Sequence, residues 1–221
     1  MKRNLVLSAS LIALCLSGSG FAQAQQAYDW SGSYFGIKGG GAIDGTARQT
    51  AAGGTSGDYD VDGFLIGIMG GYNFQHGNLV FGIDSDSAFA DIDGSVNNAA
   101  CFATCSTEID YLGTTRLRVG YAMDRFLPYA TGGLASALVD GNINGAGANS
   151  KFHFGFAVGG GLEWAITDGW AARAEYLYID LEDKNHNFGV GNATIDVSDM
   201  HVIRAGISMN TDWFWDGIFG R

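Results

Sequence analysis

Five cations (Lys38, Arg116, Arg118, Arg173 and Arg204) and five carboxylates (Asp84, Asp86, Asp110, Glu163 and Glu175) lie inside short segments where apolar residues alternate with small or polar ones. On one shared face, such charges have two uses. They can line an ion pathway, or they can pair off into a salt-bridged plug. A narrow interior favours the plug, because an unpaired buried charge costs several kcal/mol. Glu163 lies five residues before Asp168 and Arg173 five after, so a symmetric hairpin sets the two opposite each other. The four histidines, His76, His153, His186 and His201, fall in unrelated segments with no paired spacing, and each reads first as a solvated or rim residue. No H-x-S sequence occurs, which argues against a lipid-modifying barrel enzyme with adjacent nucleophile and histidine. Asp58-Tyr59-Asp60-Val61-Asp62 offers carboxylate oxygens suited to calcium. It lacks the Gly and distal Glu of an EF-hand loop, so it reads as a solvated acidic loop and no metal site is expected.

The elements that position these residues begin after an export signal. Met1-Lys2-Arg3-Asn4 is a basic start, Leu5 to Leu16 is apolar, and Ala22-Gln23-Ala24 is an A-x-A cleavage site. Residues 1–24 are thus expected to be removed, leaving 25–221 as one domain. Leu14 before Cys15 argues against a lipoprotein signal. The mature chain keeps 10 of the 12 basic residues against 23 acids, an excess of acid that excludes a nucleic-acid partner. The sequence has 35 Gly and one Pro, yet also 14 Phe, 9 Tyr and 5 Trp, which sets it apart from disordered chains. Cys101 and Cys105 lie in a small polar stretch of an exported chain, and a local disulfide is the expected pairing.

The alternation marks eight strands: Trp30 to Ala42, Gly63 to Phe74, Leu79 to Ala90, Ile109 to Ala122, Phe126 to Val139, Phe152 to Ile166, Trp170 to Leu181, and Val197 onward. Tight turns at 75–78, 123–125 and 167–169 alternate with longer linkers near 43–62, 91–108, 140–151 and 182–196. The pattern predicts an all-β fold, an eight-stranded antiparallel up-and-down transmembrane β-barrel. Apolar residues such as Phe35, Phe81, Leu117, Phe156, Tyr176 and Ile203 share the outward parity, and the charges share the inward one. A soluble lipocalin would invert this. Tyr72, Phe74, Tyr121, Tyr129, Trp164, Trp170, Trp213 and Trp215 gather near strand ends, as an interfacial girdle requires.

Several phrases then carry a resemblance. They are Gly70-Gly71-Tyr72-Asn73-Phe74, Leu79-Val80-Phe81-Gly82-Ile83-Asp84, Arg116-Leu117-Arg118-Val119-Gly120-Tyr121-Ala122, Phe126-Leu127-Pro128-Tyr129-Ala130-Thr131-Gly132-Gly133-Leu134-Ala135, Glu175-Tyr176-Leu177-Tyr178 and His201-Val202-Ile203-Arg204-Ala205-Gly206. In order and spacing the chain resembles the small alphaproteobacterial outer-membrane proteins that include RopB-like proteins, surface antigens and hemin-binding proteins. The resemblance implies a barrel in the outer membrane of a Gram-negative bacterium, tied to envelope integrity and surface contact, with no catalytic residues. It also implies lipid, lipopolysaccharide and the outer-membrane assembly machinery as partners. Family members commonly end at an aromatic residue where this chain has Thr211, and Trp213 or Trp215 then serves as the assembly signal. The primary expectation is a structural and surface-interaction barrel without a cofactor. The alternatives are a small porin-like channel and a receptor for hemin or another ligand, with His153, His186, His201 and Met200 as the candidate iron ligands.

Overall fold

The computed structural model describes residues 28–51, 54–98, 103–143, 147–188 and 192–211. Eight strands follow in order: β1 (Gly32–Ala51), β2 (Gly54–His76), β3 (Leu79–Asn98), β4 (Ala103–Tyr121), β5 (Phe126–Ile143), β6 (Gly147–Ala165), β7 (Trp170–Asn187) and β8 (Asn192–Asn210). Each pairs antiparallel with the next, and β8 returns to β1, closing the barrel. Three tight turns join β2 to β3, β4 to β5 and β6 to β7 at one end, here called the near end. The first of these uses Gly77 at φ 60°, a backbone angle that favours glycine.

Strand length is where the structure departs most from the sequence reading. Strands of 18 to 23 residues replace the expected 12 to 15. The segments 43–62, 91–108, 140–151 and 182–196, expected as linkers, are largely strand. A tilted membrane strand needs only about 9–11 residues, so roughly half of each hairpin stands beyond the bilayer at the far end.

Bulges explain why the alternation hides this extension. Register shifts fall between Ala42 and Gly45 on β1, at Asp110 on β4, and between Ile179 and Lys184 on β7, opposite irregularities on β8. One extra residue flips every later side chain to the other face. On β4 the inward set is Leu112, Thr114, Arg116 and Arg118 on one side of the bulge, and Ile109, Thr107 and Cys105 on the other. On β8 it changes from Arg204, Val202 and Met200 to Val197, Ile195 and Ala193.

The outer face carries an apolar belt toward the near end. Phe35, Ile37, Phe64, Ile66, Ile68, Phe81, Ile83, Leu117, Leu134, Phe154, Phe156, Trp164, Tyr176 and Ile203 are all exposed there. Of the aromatic residues expected in the girdle, Tyr72, Phe74, Tyr121, Trp164 and Trp170 face outward. Tyr129 does not: it is buried in the lumen, stacked on an arginine. Trp213 and Trp215 lie outside the described residues. No helix among the described residues is long and apolar enough to cross a membrane; in this fold the strands do so.

Beyond the belt the wall divides into two lobes. The β2–β3 ladder stops at Asp62↔Asp93, and the β6–β7 ladder stops at Gly155↔Leu181. Past those points β3, β4, β5 and β6 stay paired with one another, as do β7, β8, β1 and β2. The far end is therefore two four-stranded lobes facing each other across an apolar core. Val61, Ile92, Ile109, Val139, Leu181, Ile195 and Val197 belong to that core.

Candidate functional site

Three layers fill the barrel from the near end to the far end. At the near end the chain segment preceding β1 folds across the opening. Trp30 donates its indole N–H to the Asp124 carbonyl at 3.0 Å, and its backbone N–H meets Gln75 Oε1 at 2.8 Å. Tyr28 packs edge-on against Trp30 and reaches the Asp168 carbonyl. Trp30 also packs with Val80, Ala122, Leu127, Ala165 and Ala171, which closes this end with apolar side chains.

The middle layer holds the charges. Glu163 and Arg173 are direct cross-strand partners, as the symmetric hairpin predicts, and they form an ion pair. Arg118 binds both oxygens of Glu163, at 3.1 and 2.9 Å, and Arg173 also bonds Asp84. A second group centres on Asp86 and Glu175. Arg116 reaches Asp86 at 3.0 Å and Glu175 at 2.8 Å, Arg204 reaches Asp86 at 2.8 Å and Glu175 at 2.6 Å, and Lys38 pairs with Asp86. Arg116 and Arg118 each lie 3.9 Å from Asp84, which links the groups. Such forked contacts suit guanidinium and carboxylate.

Tyrosines missed by the sequence reading complete this layer. The Arg118 guanidinium lies 4.2 Å from the Tyr129 ring centre, and that of Arg173 lies 5.2 Å from the Tyr34 ring. Tyr129 donates its hydroxyl to Glu175 at 2.9 Å. Glycine makes the space for that ring: a Cβ at Gly161 would collide with the Ala174 carbonyl and the Tyr129 hydroxyl. The inward parity of Tyr129 was the one available signal.

Asp110 is a correction. It is the bulged residue of β4 and stands partly exposed, away from the lumen. Its neighbours Asp140 and Asp91 are acidic, and burial together with these raises its pKa. Glu108 is raised in the same way, by desolvation first and then by Asp110 and Asp140. The lumen therefore holds five cations against four carboxylates, with the tyrosine rings sharing the excess positive charge.

The third layer is the far-end apolar core, which the sequence reading did not anticipate. His153 and His186 are wholly buried beside it, with their Nε2 atoms 3.0 Å apart. They were expected as isolated rim or loop residues; the strand extension of β7 brings them together. An iron with two axial imidazoles separates their nitrogens by roughly 4 Å, at the usual metal–nitrogen length of about 2 Å, so this pair does not frame a hemin. His201 lies elsewhere, on the outer face, with Nδ1 2.6 Å from the Tyr176 hydroxyl. Met200 is buried in the far-end core. Among the described residues no group of three or more His, Cys, Asp or Glu is placed to hold a metal, and Asp58 is engaged by Arg48 at 2.6 Å. Cys105 is buried on β4 and disulfide-bonded, while Cys101 lies outside the described residues.

A closed eight-stranded barrel with a lipid-facing apolar belt and a salt-bridged interior fits the family whose model, described as outer membrane protein beta-barrel domain, matches residues 11–195. The chain belongs to that family. This outer-membrane barrel is 31% identical over 203 residues to the 31 kDa outer-membrane immunogenic protein of Brucella melitensis, covering 82% of this chain and 83% of that one. It is also 31% identical over 180 residues to the 25 kDa outer-membrane immunogenic protein of Brucella canis, covering 81% and 78%. Among solved structures, the outer membrane protein OprG from Pseudomonas aeruginosa shares the fold, with a TM-score of 0.58 at 17% identity over 81% of this chain and 96% of that one. The protein is thus an integral outer-membrane β-barrel.

Proposed function

We propose that the barrel is a closed anchor that supports the envelope and presents its two far-end lobes at the cell surface, without pore or enzyme activity. The observation that carries this reading is the filled interior. The Trp30 cap, the charged layer and the apolar core stand in series along the lumen, which supports a closed interior. The Brucella relatives are named immunogenic proteins, which supports exposure at the surface. His201 engages a tyrosine, and His153 and His186 engage each other; among the described residues no hydrogen bond joins any of the three to a serine or cysteine side chain.

On this reading the near end faces the periplasm and residues 1–24 are removed on export. Lys184 stands beside the lipid-facing Phe154, with its ammonium 5.5 Å from the ring centre. A cation there suits the phosphates of lipopolysaccharide. Insertion by the assembly machinery rests on the C-terminal aromatics, outside the described residues.

An epitope placed between Ile143 and Gly147 tests the orientation. Antibody should label it on intact cells, while the same epitope between Gly77 and Asn78 should be labelled only after the outer membrane is breached. Labelling of the turn epitope on intact cells contradicts the reading.

A further inference from the structure

The two lobes are held together differently at their two seams. Across the β2–β3 seam, Asn98 donates to the Ser56 carbonyl at 2.9 Å, Gln49 donates to the Ser106 carbonyl at 2.8 Å, and Tyr59 meets Thr107 at 2.6 Å. None of these groups titrates near neutral pH. Across the β6–β7 seam the bridging groups are ionisable. His153 Nδ1 faces the Glu182 carbonyl at 3.0 Å, His186 Nδ1 faces the Asn149 carbonyl at 2.8 Å, the two Nε2 atoms face each other, and Lys151 donates to the Asn185 carbonyl.

Proton counting defines the histidine clasp. A carbonyl only accepts, so both Nδ1 atoms must carry hydrogen to make their bonds. One further proton between the Nε2 atoms completes three bonds with three protons. Two protons leave one bond unmade. Four protons set N–H against N–H, and place two imidazolium charges side by side in a buried site. A separation of 3.0 Å suits a shared proton.

We propose that His153 and His186 form a proton-binding latch that holds the β6–β7 seam shut, and that acid opens this seam while the β2–β3 clasp acts as the hinge. The charges acting on the pair nearly cancel: Lys151 on β6, Asp183 and Lys184 on β7, and Asp140 on β5. Phe188 stacks on His186, and a Cβ at Gly141 on β5 would meet both Phe188 and the apolar Ile195 of β8. Mutual repulsion of the two rings therefore decides the outcome. Burial lowers the His186 pKa, partly offset by the Asn149 carbonyl. By this count the first added proton completes the clasp, so the seam loosens only when a second is forced on, well below the unfolded value of about 6.5. Opening would uncover the apolar core between the lobes.

The test uses the refolded mature chain in detergent micelles, with spin labels on cysteines at Ser150 and Glu182, both exposed and on opposite sides of the seam. Between pH 6 and pH 3.5 the distance distribution should lengthen and broaden. Labels at Asp60 and Ser95, across the other seam, should not move. In the double variant His153→Asn, His186→Asn the first pair should give the same distribution at both pH values, whatever its mean. An unchanged distribution in the parent protein, an equal shift at the second seam, or a pH response that survives in the double variant would overturn the proposal.

Discussion

Asp86→Ala is expected to lower the unfolding free energy by about 3–5 kcal/mol, the cost of leaving a buried ion group without one partner. Asp86 is the point where Lys38, Arg116 and Arg204 converge, and it also accepts from Thr114 at 2.6 Å. Its loss leaves Arg116 and Arg204 to share Glu175, with Asp84 3.9 Å from Arg116, and removes the carboxylate that pairs with Lys38. Denaturant unfolding in lipid vesicles, followed by tryptophan fluorescence, measures the change. Asp110→Ala is the control, since Asp110 stands outside the lumen among other acids. It should cause no loss of stability. Equal losses in the two variants would contradict the assignment of Asp86 to a buried network.

Leu117→Arg is expected to cost about 2–4 kcal/mol in a bilayer, the penalty for arginine on the lipid face near the midplane. Leu117 is 70% exposed on β4, four residues from the girdle residue Tyr121. Met123→Arg, in the turn at the near end, should cost about 0–1 kcal/mol, because the penalty falls toward the interface. The same titration reads both. On a water-facing barrel, arginine at an exposed leucine would be nearly neutral, so a negligible effect at Leu117 would count against the membrane placement.

The part of the fold within the belt was legible because period-two alternation runs unbroken there. Phe154, Phe156 and Val158 share one parity, with His153, Ala157 and Glu163 on the other, and the structure keeps both assignments. The Glu163–Arg173 pair followed from turn symmetry alone. The far half was not legible for a local reason. Bulges near Asp44, Asp110, Asp183 and Asp199 invert the parity, so strand continues where the pattern breaks and reads as loop. That inversion turned Asp110 out of the lumen and brought Ile109 in. It also hid the histidine pair, because residues 33 positions apart meet only when β7 is known to extend to Asn187. Tyr129 was misread because an aromatic ring at a strand end suits either face. Its place beside Arg118 depends on Gly161 across the ladder.

The central claim is that the barrel is closed along its length, and ionic current tests it most directly. Purified mature protein, refolded and shown to be heat-modifiable on gels, is added to a planar bilayer. The salt-bridged layer between the Trp30 cap and the far-end core predicts no steady conductance above the bare membrane at neutral pH. A stable, ion-selective current that scales with the amount of folded protein would contradict it.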